Sequence, residues 1–196
     1  QHTDSSCYDL LIVSEPLGVS YRLGVPLIGR SVTEVIEWLA KTDLVRDYGS
    51  IRTLGYSAGG YPAIMAAYRL RAEMAVSISG RFLRDERREL IKYLARVSKT
   101  WQAIYKGHCA CVLLNYSIDI PRDVEFAEMV SRYSGGRQVG LEFSDKKVHR
   151  VLSYLAEHGE LKSYLASTIF VDMSDELISS KRDNVTMNFT DLKALS

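Results

Sequence analysis

Short continuous apolar runs alternate along this chain with longer segments that are apolar on one side only. Residues 10–14 (LLIVS) are the first run. Unbroken apolar sequence of that length predicts a strand covered on both faces. A Gly/Pro-rich loop continues through Gly29. Residues 31–41 then predict a helix. Ser31 suits the N-cap, Glu34 completes a capping box, and Val32, Val35, Ile36 and Leu39 share one face. Gly49 and Ser50 break the chain before a second strand at 51–55, and a helix is predicted at about 58–70. A third strand (MAVSIS, 74–79) ends at Gly80, and 82–100 reads as a helix with a charged exterior. ACVLLNYS (110–117) is the fourth strand, followed by a loop with Asp119 and Pro121 and a helix near 124–133. QVGLEF (138–143) is the fifth strand, and 148–165 reads as one long amphipathic helix.

Strand followed by helix, repeated in this way, predicts an α/β fold. The expected form is a doubly wound, mostly parallel sheet of about five to six strands with helices on both faces. Residues 1–166 are expected to make a single domain. Residues 167–196 are polar with weak periodicity, and are expected to form an extension with one short helix at 173–180 and a tail ordered by packing or by a partner.

Composition narrows the function classes. Lys plus Arg number 25 against 24 for Asp plus Glu, which speaks against a nucleic-acid or polybasic membrane partner. No apolar run reaches the length of a membrane span, so a soluble chain is expected, with a cytoplasmic location as the working expectation. Cys7, Cys109 and Cys111 are too few for a disulfide framework, and Cys109 and Cys111 with His108 form one short cluster lacking a second ligand pair. Buried or edge thiols are the simpler reading. The chain opens at Gln1 without a signal-like apolar core, as a processed chain or a piece of a longer one would. N-x-S/T triplets at Asn115, Asn184 and Asn188 carry little weight, because such triplets are common by chance.

The candidate chemistry lies in IRTLGYSAGGYPAIMAA, residues 51–67. Gly55-Tyr56-Ser57-Ala58-Gly59 matches G-x-S-x-G between a predicted strand and a predicted helix. A serine at such a sharp turn has strained backbone angles. Side chains two residues before and two after would collide, which accounts for glycine at both. The following helix aims its free N–H groups and positive dipole end at the serine. Gly60, Ala63, Ala66 and Ala67 let that helix lie close to the sheet, while Pro62 near the end of its first turn is a mild tension. The competing reading is a tight phosphate-binding turn, but the lysine of a P-loop and the dinucleotide-binding glycine pattern are both absent.

A serine hydroxyl needs a base, and the base needs a carboxylate to orient it. In an open parallel sheet, sites form at the carboxyl ends of strands. His149 lies there, a short loop after the fifth strand, whereas His108 precedes a strand, His2 is terminal and His158 lies inside the last helix. For the carboxylate, Asp119 follows the fourth strand most directly. Asp123 ranks second, since it also reads as the start of a helix, and Asp145 ranks third.

The order Ser57, Asp119, His149, each after a different strand, is that of α/β-hydrolases. LGYSAGGYPA, LLNYSIDIPRDVEFAEMV and VHRVLSYLAEHGELKSYL each resemble the corresponding segments of α/β-hydrolase-fold serine hydrolases, over about residues 10–166. The resemblance implies a Ser–His–acid triad acting on a small-molecule acyl substrate, with no cofactor and no metal. It also implies an oxyanion hole from the Ala58 N–H and a second donor in the loop after the first strand. The usual leading hairpin is missing, and the familiar His-Gly is replaced by Ser14-Glu15-Pro16-Leu17-Gly18. Pro16 has no N–H, which leaves Leu17 or Gly18 as donor.

Ester or thioester hydrolysis through an acyl-enzyme is therefore the first expectation. Acyl transfer by the same triad is an alternative. Another is an inactive hydrolase-like domain that binds a partner through Arg81, Arg84, Arg87 and Arg88 or through its termini. Residues 19–30 or 81–100 would cover the site. Tyr21, Tyr56, Tyr61 and Tyr116 are candidates for an acyl pocket, and Arg22 and Arg30 for attracting an acidic substrate.

Overall fold

The computed structural model describes residues 8–14, 21, 23–82, 88, 91, 92, 95, 111–134, 136–142, 148–169 and 185–188. Its centre is a parallel sheet of β1 (Arg52–Tyr56), β2 (Met74–Ile78), β3 (Cys111–Ser117) and β4 (Arg137–Glu142), each beside the next. β5 (Val185–Asn188) pairs in parallel with β4, giving the order β1-β2-β3-β4-β5. The chain is thus of the α/β class, with all strand carboxyl ends along one edge.

Helix α1 (Val32–Lys41) begins where its cap sequence predicts. Ser31 Oγ accepts from the Glu34 amide at 3.2 Å, and the Glu34 carboxylate reaches back to accept from the Arg30 amide at 2.8 Å. Val35, Ile36 and Leu39 are its buried face. A short α2 (Asp43–Arg46) follows, then β1, a 3-10 turn (Ser57–Gly59) and α3 (Gly60–Leu70). Pro62 is the third residue of α3, inside the first turn, where amides have no intrahelical acceptor in any case. The tension seen in the sequence is thereby removed.

Packing divides along β2, which is buried over its whole length. Ala75 joins Val112, Leu114 and residues of α3 and of α4 (Pro121–Ser134) in one cluster. Met74, Val76 and Ile78 join Leu113, Leu141 and residues of α5 (Val151–Glu157) and α6 (Leu161–Ile169) in a second.

Two expectations are corrected. Residues 10–14 are not a strand. Leu10, Leu11 and Ile12 are exposed, and only Val13 packs, against Val25, Val35 and Leu39, with its carbonyl accepting from Tyr21 Oη. An apolar run biases the backbone toward extension, but a strand exists only through a ladder, and none forms here. The helix read over 148–165 is two helices. Gly159 adopts φ +75, with Gly159 N–H bonded to the Ala156 carbonyl and Glu160 N–H to the Leu155 carbonyl. That left-handed cap ends α5, and α6 restarts two residues later.

The helix expected over 82–100 lies mostly outside the described residues, although Arg88, Ile91, Lys92 and Ala95 are helical. The short helix expected at 173–180 lies wholly outside them. Among the described residues no helix is long and apolar enough to cross a membrane.

Candidate active site

Ser57 leaves the end of β1 with φ +51, a left-handed conformation that a non-glycine residue adopts only when its surroundings enforce it. The enforcement is visible in the glycines. A Cβ on Gly55 would be driven into the Gly59 carbonyl and would lie 2.8 Å from Ala63 Cβ. A Cβ on Gly60 would strike Ser77 Oγ and lie 2.9 Å from Gly80 Cα. Gly59 has open space around its Cβ position and an ordinary φ of −77. The crowding expected at Gly55 and Gly59 therefore falls on Gly55 and Gly60. Thr53 Oγ1 also donates to the Ala63 carbonyl at 2.9 Å, tying α3 onto β1.

His149 stands just before α5, past the carboxyl end of β4. Its Nε2 is 3.4 Å from Ser57 Oγ. Its Nδ1 is 3.1 Å from Asp123 Oδ1 and 3.0 Å from Oδ2. An ionised carboxylate only accepts, so this network assigns the proton to Nδ1 and leaves the Nε2 lone pair toward the serine hydroxyl. The long Ser57–His149 separation is common for such pairs before a substrate draws them together.

Asp119, the first choice from sequence, is not part of this group. β3 ends at Ser117, and a turn closed by the Ile120 amide on the Ser117 carbonyl carries Asp119 into solvent. Pro121 then opens α4, and the third residue of that helix is Asp123, fully buried and facing His149. Its first-turn position, which favoured a capping role, also supplies the helix dipole that favours a carboxylate there. Asp145, Leu17 and Gly18 lie outside the described residues, as do Arg22, Arg84 and Arg87. Ala58, the first amide after Ser57, is the second residue of the 3-10 turn, where N–H groups lack helical acceptors.

Burial pushes the Asp123 carboxyl above its ordinary range. The His149 hydrogen bond, then His149, Arg122 and Arg81 as charges, pull the other way without overcoming it. Burial also raises the Tyr56 phenol, opposed by Arg150 and Arg81 and reinforced by Asp123. Sequence reasoning missed how closely Arg81 joins this group. The available signal was Ser79-Gly80 at the end of β2, where Ser79 takes φ +47 and turns the chain toward the elbow.

The remaining candidates have structural places. Tyr61 is buried in the core, and Asn115 is buried with its Nδ2 donating to Tyr164 Oη at 2.6 Å, so it is no glycosylation acceptor. Cys111 is half-buried at the start of β3. Among the described residues no group of three His, Cys, Asp or Glu is placed to hold a metal. A depression lined by Tyr48, Ile51, Arg69 and Arg71 sits at the opposite, amino end of β1 and contains none of the candidate residues.

No family model, curated protein or solved structure matches this chain.

Proposed function

We propose that this chain is a serine hydrolase of the α/β-hydrolase kind that cleaves an ester or thioester through Ser57, His149 and Asp123. One observation carries the reading. A serine with φ +51 at a strand-to-helix turn has its Oγ 3.4 Å from an imidazole whose other nitrogen meets a fully buried carboxylate. That is the nucleophile, base and orienting acid that acyl transfer to serine requires. The two apolar clusters on alternate residues of β2 support the two-faced packing that accompanies such sites.

In the proposed reaction Ser57 Oγ attacks the acyl carbonyl while His149 Nε2 takes its proton. Asp123 holds the imidazole with its Nδ1 proton inward and stabilises the imidazolium that forms. The Ala58 N–H, at the start of the 3-10 turn, faces the developing oxyanion. His149 returns the proton to the leaving group. It then activates water, which releases the acid and frees Ser57.

The test is covalent labelling with a fluorophosphonate. Wild-type protein is expected to label at Ser57, Ser57→Ala to abolish labelling, and His149→Ala to slow it by about a thousandfold or more. A folded wild-type protein that never labels rules the reading out.

A further inference from the structure

The segment after β2 is clamped between two parts of the triad. Gly80 meets Gly60, three residues past Ser57, with room for no side chain between them. The Phe82 ring packs on Phe126, three residues past Asp123, with centroids 4.7 Å apart. Arg81 is thereby held between the nucleophile turn and the helix that carries the acid. Its Nε is buried and has no hydrogen-bond partner among the described residues. A buried guanidinium nitrogen is costly to leave unpaired, and Arg81, held between the serine turn and the Asp123 helix, has no acceptor for it among the described residues, which suits it to receive one from a ligand.

The surrounding charges agree. Asp123 is the acid of this group, and it is engaged by His149 and approached by Arg122 Nε at 3.9 Å. Arg122 is largely exposed and accompanies that carboxylate. Arg150 follows His149 directly, is exposed, and joins Arg81 in acting on Tyr56 at the turn. Among the described residues, Arg81 and Arg150 therefore remain as cations at the site once Asp123 is matched.

We propose that Arg81, with Arg150 beside it, binds a carboxylate carried by the substrate, so that the enzyme acts on anionic esters or thioesters. This rests on the hydrolase reading, and it differs from the substrate role the sequence suggested for Arg22 and Arg30. The carboxylate can sit on the acyl portion or on the leaving portion. A guanidinium fork holding it would fix the register of the scissile carbonyl against Ser57.

The test is a calorimetric titration of the full Ser57→Ala chain, which binds without turnover. The probes are methyl hexanoate, monomethyl adipate with its carboxylate on the acyl side, and hexanoyloxyacetate with its carboxylate on the leaving side. One charged ester is expected to bind about tenfold or more tighter than methyl hexanoate, and which one does so assigns the side. Adding Arg81→Gln should erase the preference, Arg81→Lys should keep part of it, and Arg150→Gln should reduce it. Equal affinity for the three esters, or no binding of any, overturns the proposal, as does a preference that survives Arg81→Gln. Should Arg81→Gln fail to fold, Arg150→Gln decides, and an unchanged preference overturns the proposal. Fluorophosphonate labelling of the wild-type chain is read separately. Labelling without charge preference removes only the anion site, whereas charge preference without labelling removes only the hydrolase reading.

Discussion

His149 Nδ1 lies almost equally far from both oxygens of Asp123, 3.1 and 3.0 Å, and the carboxylate it meets has no exposed surface. On the proposed reading this carboxylate holds that ring. Asp119, four residues earlier, faces water. Asp123→Asn is therefore expected to slow fluorophosphonate labelling by about a thousandfold, and Asp119→Asn to leave it within a factor of about two. Labelling rates of the two variants side by side decide between the acids.

The same burial has a consequence for stability. The folded Asp123 carboxyl has a raised pKa, so the folded chain takes up this proton at higher pH than the unfolded chain does. The charged form then costs stability at neutral pH. That cost shrinks as pH falls through the raised folded value, and it is gone below the ordinary value of 3.8. Asp123→Asn is expected to raise the unfolding free energy at pH 7, with the gain vanishing toward that ordinary value. Denaturant titrations of both proteins across pH measure it. A gain that is independent of pH would refute this origin.

Ser57 stores backbone strain. Ser57→Gly removes the Cβ that makes φ +51 unfavourable, and is expected to stabilise the protein by about 1 kcal/mol while ending labelling. Ser57→Ala keeps the Cβ and should show no such gain. Thermal unfolding of the two variants separates the contributions of hydroxyl and backbone.

The glycines give the sharpest contrast. Gly59→Ala meets open space at an ordinary φ, and is expected to be neutral or stabilising by about 0.5 kcal/mol. Gly60→Ala forces α3 away from Ser77 and Gly80, and is expected to cost about 2 kcal/mol or more and to slow labelling. Equal tolerance at the two positions would contradict the packing described.

Much of this was legible in the sequence. The cap at Ser31, the strand before Ser57 and the helix after it follow from local rules, and each is present. His149, picked out by its place after the last of the expected strands, lies 3.4 Å from Ser57 Oγ. That Asp123 and not Asp119 meets His149 was not legible, because one turn decides it. Asp119 and Asp123 differ only in where the chain folds back at Pro121, and that depends on how α4 docks, which no local pattern encodes. The strand expected at 10–14 failed for a related reason, since the apolar run is local but its partner is not. The break at Gly159 was available as a glycine inside a helical pattern, yet Leu161 and Leu165 continue the apolar spacing past it and conceal the stop.

The strand order also bears on how the protein assembles. Strands are added to the sheet in the order they occur in the chain, so β1, α3 and β2 can associate using neighbouring sequence alone. Ser57 and His149 are 92 residues apart, and they meet only after β3 and β4 have joined. The serine turn is then built early, and on the proposed reading it gains its base only once β4 has joined. In refolding from denaturant, labelling at Ser57 is expected to lag the recovery of secondary structure. On this route, reactivity reports that β4 has joined the sheet.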